Sequence, residues 1–153
     1  MLAAHERWMR EALKEARHAF RKGDVPVGAI VVFENKIIGR GYNQVELLQD
    51  PTAHAEMIAI TSATNTLGKK WLIDASLYVT IEPCSMCAGA IVLARLKRVV
   101  YGAQDLKTGA HSSLFNLLNE PRLNHKVEVL PGVLSSECEN QMSAFFEELR
   151  KRN

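Results

Sequence analysis

Residues 76–95 read SLYVTIEPCSMCAGAIVLAR and join a short strand to a helix. Residues 76–81 are rich in the aromatic and β-branched side chains that are typical of strands. Pro83 then opens a helix that we expect to run to about Arg95, because the missing N–H of proline costs nothing in a first helical turn. A buried strand that passes directly into a helix is typical of an α/β fold.

Residue patterns before residue 76 and after residue 95 predict further helices and strands. Apolar residues recur at helical spacing at Trp8, Ala12, Ala16 and Phe20, and Gly23 suits the end of that helix. The other predicted elements are strands at 27–33 and 36–42 joined by a turn at Glu34-Asn35, a helix at 53–67 ended by Gly68, a strand at 98–102, a short helix at 114–118, a strand at 127–130, and a last helix with the apolar stripe Cys138, Met142, Phe145 and Leu149.

This order, αββαβαβαβα, predicts the fold class. A hairpin followed by strands that alternate with helices indicates a mixed five-stranded sheet with helices on both faces, a three-layer α/β/α arrangement. The length of 153 residues predicts one domain over 1–153.

Composition excludes several classes of protein. With 47% hydrophobic and 24% charged residues the chain is neither disordered nor low in complexity. The longest apolar runs are about seven residues, against the roughly 20 that a membrane-spanning helix needs. The charged, amphipathic N-terminus does not resemble a secretory signal. We therefore expect a cytoplasmic protein with no membrane partner, and the net charge of +2 neither demands nor excludes a nucleic acid.

Two short clusters carry candidate chemistry: His54-Ala55-Glu56 and Pro83-Cys84-Ser-Met-Cys87. Each begins a predicted helix, and ligands of open α/β sheets collect at the carboxyl ends of the strands. Two thiolates and one imidazole suit Zn²⁺, one ion per subunit, and three protein ligands leave the fourth tetrahedral position to water. Glu56 is the candidate carboxylate that takes the proton of that water.

Cys84 and Cys87 have two other interpretations, a redox pair and a structural zinc site. A redox pair needs no His-x-Glu on another helix, so this interpretation is disfavoured. A structural zinc site needs a fourth Cys or His, and the available Cys138 lies in an apolar stripe, which predicts a core residue.

His54-x-Glu56 followed by Pro83-Cys84-x-x-Cys87 is the known signature of the zinc-dependent deaminases. The resemblance to bacterial tRNA-specific adenosine deaminases extends over nearly the whole chain. It is carried by DVPVGA at 24–29, GYN at 41–43, DPTAHAE at 50–56, LYVTIEPC at 77–84, RVVYGA at 98–103 and KTGA at 107–110. The 104–112 segment departs from the family's pattern at Gln104, Leu106 and His111-Ser112.

The resemblance implies a cytidine deaminase-like fold and a homodimer. It implies conversion of adenosine to inosine at the wobble position of an arginine tRNA anticodon, by zinc-activated water with Glu56 as proton shuttle. His54, Cys84 and Cys87 would then hold the zinc, and no organic cofactor is expected.

The resemblance also implies substrate contacts for five residues. Asn43 matches a base-binding asparagine, whose amide can both donate and accept a hydrogen bond. Asp105 matches a residue that contacts the nucleotide before the target base, where a carboxylate can accept a hydrogen bond from a 2′-hydroxyl. Phe146, on the last helix, is expected beside the anticodon loop, and the remaining two implied substrate contacts are Val27 and Ala55.

Two rival functions stay open. A zinc-dependent deaminase of a free base or nucleoside, such as guanine, cytosine or cytidine, shares the metal ligands and the glutamate. A non-catalytic RNA-binding or structural zinc protein is harder to reconcile with an intact Glu56.

Overall fold

A computed structural model describes residues 1–152. The helices are α1 (Leu2–Arg21), α2 (Val45–Leu48), α3 (Ala55–Leu67), α4 (Ser85–Leu93) and α5 (Ser135–Arg152). The strands are β1 (Gly28–Phe33), β2 (Lys36–Tyr42), β3 (Ser76–Ile81), β4 (Arg98–Ala103) and β5 (Glu128–Leu130). The boundaries of the correctly predicted strands and of α3 and α4 lie within about two residues of those expected, which is the usual precision of such assignments.

Within residues 1–152 the strands form one sheet in the order β2-β1-β3-β4-β5. β1 pairs antiparallel with β2 and with β3, while β3, β4 and β5 run parallel. The hairpin turn lies at Glu34-Asn35, as predicted, and both residues have positive φ angles, as the tight turns of hairpins require. The sheet is therefore mixed, and its parallel half carries the strand-to-helix connections.

Helices cover both faces of the sheet. Alternate residues of β3 point to opposite sides: Leu77 and Val79 pack in a cluster with residues of α3 and α4, and Tyr78 packs in a cluster with residues of α1 and α5. Cys138 of α5 is 1% exposed in the second cluster, which confirms it as a core residue. The predicted three-layer α/β/α fold is confirmed.

One predicted element is wrong. Residues 114–118 form turns and loop rather than a helix. The backbone N–H groups of Leu114 and Phe115 both donate to the Gly109 carbonyl, and that of Leu117 donates to Ala110. These bonds join the segment to an earlier loop instead of closing helical turns, so the apolar pattern reflects burial of Leu118 and not a helix.

A second difference is the short helix α2, which the sequence did not predict. The carboxylate of Asp24 accepts hydrogen bonds from the backbone N–H groups of Glu46 and Leu47 at 2.9 and 3.2 Å. The group that satisfies the start of α2 thus lies 22 residues earlier in the chain, where no local capping pattern reveals it.

The stripe on α5 is shorter than predicted. Phe145 is buried with Cys138, but Leu149 is 42% exposed. No helix within residues 1–152 combines the length and the apolar character needed to cross a bilayer.

Candidate active site

The metal-ligand candidates lie where two helices begin. His54 is the N-cap residue of α3 and Cys84 is the N-cap residue of α4, and both have extended backbone conformations. α3 approaches the sheet closely because Gly41 of β2 has no side chain: a Cβ there would overlap the Ala55 carbonyl oxygen. The start of α3 is thereby brought beside the start of α4, which follows β3.

Three ligand atoms converge at this point. The Nδ1 atom of His54 lies 3.6 Å from the Sγ atom of Cys84 and 3.5 Å from that of Cys87. A tetrahedral zinc ion with bonds of about 2.3 Å to sulfur and about 2.05 Å to nitrogen separates such atoms by about 3.5 Å. The side chains therefore fit a zinc ion without rearrangement, and they form the three-residue group able to hold a metal among residues 1–152.

The contact between the two cysteines shifts their pKa values in opposite directions. The hydrogen bond from Cys87 and the neighbouring His54 lower the pKa of Cys84 to about 4. The same contact with Cys84, together with burial, raises the pKa of Cys87. Cysteines bind metals as thiolates, so both thiols give up their protons when a metal binds.

Glu56 is the second residue of α3 and is 3% exposed. Burial raises the pKa of its carboxyl group to about 7. It is not one of the three clustered ligands. A carboxyl group that titrates near neutral pH can both accept and return a proton, which is the property required of a proton shuttle.

A cavity of about 290 Å³ opens onto His54, Glu56 and Cys84. Ligand sites commonly measure roughly 300–1,000 Å³, so this cavity suits one base rather than a longer segment of a nucleic acid. The predicted substrate contacts on its wall are Val27, Asn43, Ala55 and Asp105.

Phe146 does not line this cavity. It is 38% exposed and its ring lies edge-on to that of Phe145, with the centroids 5.3 Å apart. The residue of α5 on the cavity wall is Met142. A contact between Phe146 and a substrate stays a prediction.

Asn43 is held in one orientation. Its Nδ2 atom donates to the Oδ1 atom of Asp24 and to the carbonyl of Val25, both at 3.2 Å, and its backbone N–H donates to the Val27 carbonyl. Two acceptors for the two amide hydrogens distinguish the amide oxygen from the nitrogen. Of the two roles expected for this amide, the structure leaves the acceptor role free.

Asp105 lies at the start of a loop after β4. Its carboxylate accepts hydrogen bonds from the backbone N–H groups of Lys107 and Thr108 and, at 2.7 Å, from the Thr108 hydroxyl. An ionised carboxylate offers about four acceptor positions, so one remains for an incoming hydroxyl group.

Sequence reasoning missed two acidic residues that support this site, Asp24 and Glu82. Both are 1% exposed. A glutamate at the end of an otherwise apolar strand, directly before Pro83-Cys84, is a signal that could have identified Glu82, since buried carboxylates are rare unless they are hydrogen-bonded. Asp24 follows the end of α1 in a loop and offers no comparable signal.

Comparison with known proteins identifies the family. The sequence model of one protein family, the MafB19-like deaminases, matches residues 3–150. The chain is 52% identical over 147 residues to the tRNA-specific adenosine deaminase of Bacillus subtilis, covering 96% of this chain and 91% of the relative. It is 50% identical over 147 residues to that of Aquifex aeolicus, covering 95% of each.

A solved structure agrees with these relatives. A tRNA:A34 deaminase, studied for A-to-I editing at the wobble position of transfer RNA, superposes with a TM-score of 0.85 and 43% identity, covering 88% of this chain and 98% of that one. Identity at this level over nearly the full length of both chains means that this protein belongs to the family of the tRNA-specific adenosine deaminases.

Proposed function

We propose that this chain converts adenosine to inosine at the wobble position of a transfer RNA anticodon, and that the transfer RNA is an arginine one. The reaction adds water and releases ammonia, so a carbon–oxygen bond replaces the bond between C6 and the amino nitrogen. The observation that carries the proposal is one small cavity in which the buried Glu56 lies beside His54 and Cys84, with Asn43 and Asp105 on its walls.

His54, Cys84 and Cys87 are the residues that would hold one zinc ion per subunit, as their spacing supports. A zinc ion bound there would act as a Lewis acid and make a water molecule nucleophilic at neutral pH. Glu56 accepts a proton from the attacking water, delivers it to the purine ring nitrogen, and returns a proton to the departing amine. Its burial excludes bulk water from these transfers.

The cavity walls would hold the flipped base and its neighbour. Asn43 presents its amide oxygen to a donor of the nucleoside, and Val27 and Ala55 border the base. Asp105 accepts a hydrogen bond from the 2′-hydroxyl of the preceding nucleotide, which only RNA carries. Phe146 contacts the anticodon loop farther from the base. Each of these roles belongs to the proposal.

The expected homodimer has a candidate interface on α4. This helix contains no charged residue, yet Leu93 is 78% exposed and Met86 and Val92 are only half-buried. A helix that is apolar on all sides is normally covered on all sides. We propose that a second copy of the chain covers this outer face, in a protein that acts in the cytoplasm as a single deaminase domain over 1–153.

A substrate comparison tests the function. Zinc-loaded protein is offered an arginine anticodon stem-loop with adenosine at the wobble position and, in parallel, free adenosine, guanine, cytosine and cytidine. Inosine in the RNA alone is the expected result. Turnover of a free base or nucleoside with the RNA unchanged would refute the substrate and leave the deaminase chemistry in place.

A further inference from the structure

The Glu82 carboxylate is the centre of a hydrogen-bond cluster that joins the end of β3 to the loop after β4. Its Oε1 atom accepts from the backbone N–H of Asp105 at 3.2 Å and from the Ser113 hydroxyl at 2.5 Å. Its Oε2 atom accepts from the backbone N–H groups of His111, Ser112 and Ser113 at 2.9, 2.9 and 3.2 Å. All five donors belong to residues 105–113.

Five donors surround the two oxygens of this buried side chain, which is 1% exposed. The cluster occupies both oxygens with donors of the protein itself. Although Glu82 borders the cavity, its acceptor positions are therefore taken up by the loop and not offered to a ligand.

The loop is pressed against the end of β3 at a second point. Gly109 forms a β-bridge with Cys84, and the backbone N–H of Ala110 donates to the Pro83 carbonyl at 2.8 Å. A Cβ on Gly109 would overlap the Glu82 carboxyl group. The loop therefore contacts three successive residues, Glu82, Pro83 and Cys84. Position 109 must be glycine, because a side chain there would occupy the space of the Glu82 carboxylate.

The contacts between this loop and Glu82 fix the position of Asp105. Its backbone N–H is bound to Glu82, two residues before the metal-ligand candidate Cys84. We propose that Glu82 is a positioning residue that holds Asp105 at a set place relative to the metal ligands and so determines the affinity for RNA. This inference rests on the proposed function, because it assigns the loop to recognition of the nucleotide beside the target base.

The substitution Glu82→Gln tests the proposal at nearly constant volume. If the amide oxygen takes the place of Oε2, the amide nitrogen faces the backbone N–H of Asp105, and two donors then oppose each other. The Ser113 hydroxyl can rotate to accept, but the Asp105 N–H cannot. A buried donor left without a partner costs about 1–3 kcal/mol, or roughly 5- to 150-fold in an equilibrium constant.

The experiment compares KM and kcat of the zinc-loaded protein on the anticodon stem-loop. We expect KM of Glu82→Gln to rise roughly 5- to 150-fold with kcat within about threefold of wild type, since an interaction that serves binding alone changes KM and not kcat. Zinc content per chain should stay unchanged. Glu128→Gln, an exposed glutamate of β5 that pairs with Arg98, is the matched control and should behave as wild type.

Two further variants perturb the same cluster from the loop. Ser113→Ala removes one donor and should raise KM by a smaller factor, and Gly109→Ala should raise KM by displacing the loop from Glu82. They keep the test decisive if Glu82→Gln does not fold.

Amide hydrogen exchange gives a readout that does not depend on activity. The backbone N–H groups of residues 105 and 111–113 should exchange faster in Glu82→Gln than in wild type, with little change elsewhere. Wild-type protein that leaves the RNA unchanged refutes the proposed function before any variant is measured. An active wild type with unchanged KM in the variants, or a fall in kcat and zinc content at constant KM, overturns the role of Glu82 alone.

Discussion

Replacement of Asp24 by alanine should destabilise the wall of the cavity that carries Asn43. The Asp24 carboxylate is 1% exposed and accepts three hydrogen bonds, one from the Asn43 side chain and two from the backbone of Glu46 and Leu47. Hydrogen bonds to a charged acceptor contribute about 1.5–3 kcal/mol each. Water can reach the start of α2 and replace part of the lost bonding, so we expect a loss of about 2–4 kcal/mol rather than the full sum.

Urea unfolding of the zinc-loaded protein measures this loss. With a slope of about 2 kcal/mol per molar urea, the midpoint should fall by about 1–2 M. Asp50→Ala is the matched control, because Asp50 also accepts two hydrogen bonds, from Thr52, but lies on the surface. Its midpoint should move far less.

Asp24→Asn separates stability from orientation. The new amide oxygen can still accept from Glu46 and Leu47, while the new NH₂ group faces the NH₂ group of Asn43. We expect a smaller fall of the midpoint than in Asp24→Ala together with a clear rise in KM. An Asp24→Ala midpoint within about 0.3 M of wild type would refute the reasoning, because a buried carboxylate with three partners cannot be removed at so small a cost.

Four other predictions address the chemistry and the assembly. Glu56→Ala should keep its zinc yet lose roughly 10²–10⁴-fold in rate, the usual contribution of a general acid–base, and near-normal turnover with full metal content would contradict the assignment. Asp105→Asn should raise activity on a deoxyadenosine substrate relative to RNA, and an unchanged ratio would remove Asp105 from sugar recognition. Cys84→Ser should lower the zinc bound per chain by at least roughly tenfold. Dialysis of the wild type against a chelator should abolish turnover until Zn²⁺ is returned. Metal analysis together with the activity assay checks the variant and the dialysed protein. Leu93→Glu should convert a dimer to a monomer, as measured by light scattering coupled to gel filtration. Leu2→Glu, at a terminus that is also exposed, should leave the dimer intact. A dimer that survives Leu93→Glu would place the interface elsewhere.

The meeting of His54 with the two cysteines beside Glu56 could be predicted because the signals for these residues are local. His54 and Glu56, and Cys84 and Cys87, each lie within one turn of a helix start, so residue type and spacing alone predict which atoms can meet. The strands were predictable for the same reason, since periodicity and turn residues act over a few positions. The expectation of a zinc-type site needed only the further inference that the two helix starts meet at one edge of the sheet.

The parts that escaped prediction depend on distant partners. α2 begins where Asp24, 22 residues away, supplies an acceptor, and residues 114–118 are drawn back to Gly109 and Ala110 instead of forming a helix. Met142 shows the same limit: it belongs to the apolar stripe of α5, and nothing in that stripe reveals that it lies on the cavity wall. No short pattern in the sequence encodes any of these pairings.

The candidate metal ligands and the proposed recognition residues lie on different parts of the fold. The metal-ligand candidates and Glu56 lie at helix starts, while Asn43 and Asp105 lie on segments that hydrogen-bond to the buried carboxylates of Asp24 and Glu82. A scaffold that fixes the reacting groups and presents recognition groups on separate loops allows each to change independently.

The loop after β4 illustrates this independence. His111 and Ser112 both reach Glu82 through backbone N–H groups, which every residue except proline provides. The contacts of these two residues with Glu82 therefore do not depend on their side chains, which instead lie within hydrogen-bond distance of the buried Tyr101 hydroxyl. The contacts of Gly109 and Ser113 do depend on residue type, because Gly109 must leave space for the carboxylate and Ser113 donates through its hydroxyl. Single substitutions other than proline at 111 and 112 should accordingly preserve the hydrogen bonds to Glu82, whereas those at 109 and 113 should weaken them. A library at these four positions, selected for turnover of the stem-loop, checks this order, and equal restriction at all four positions would contradict it.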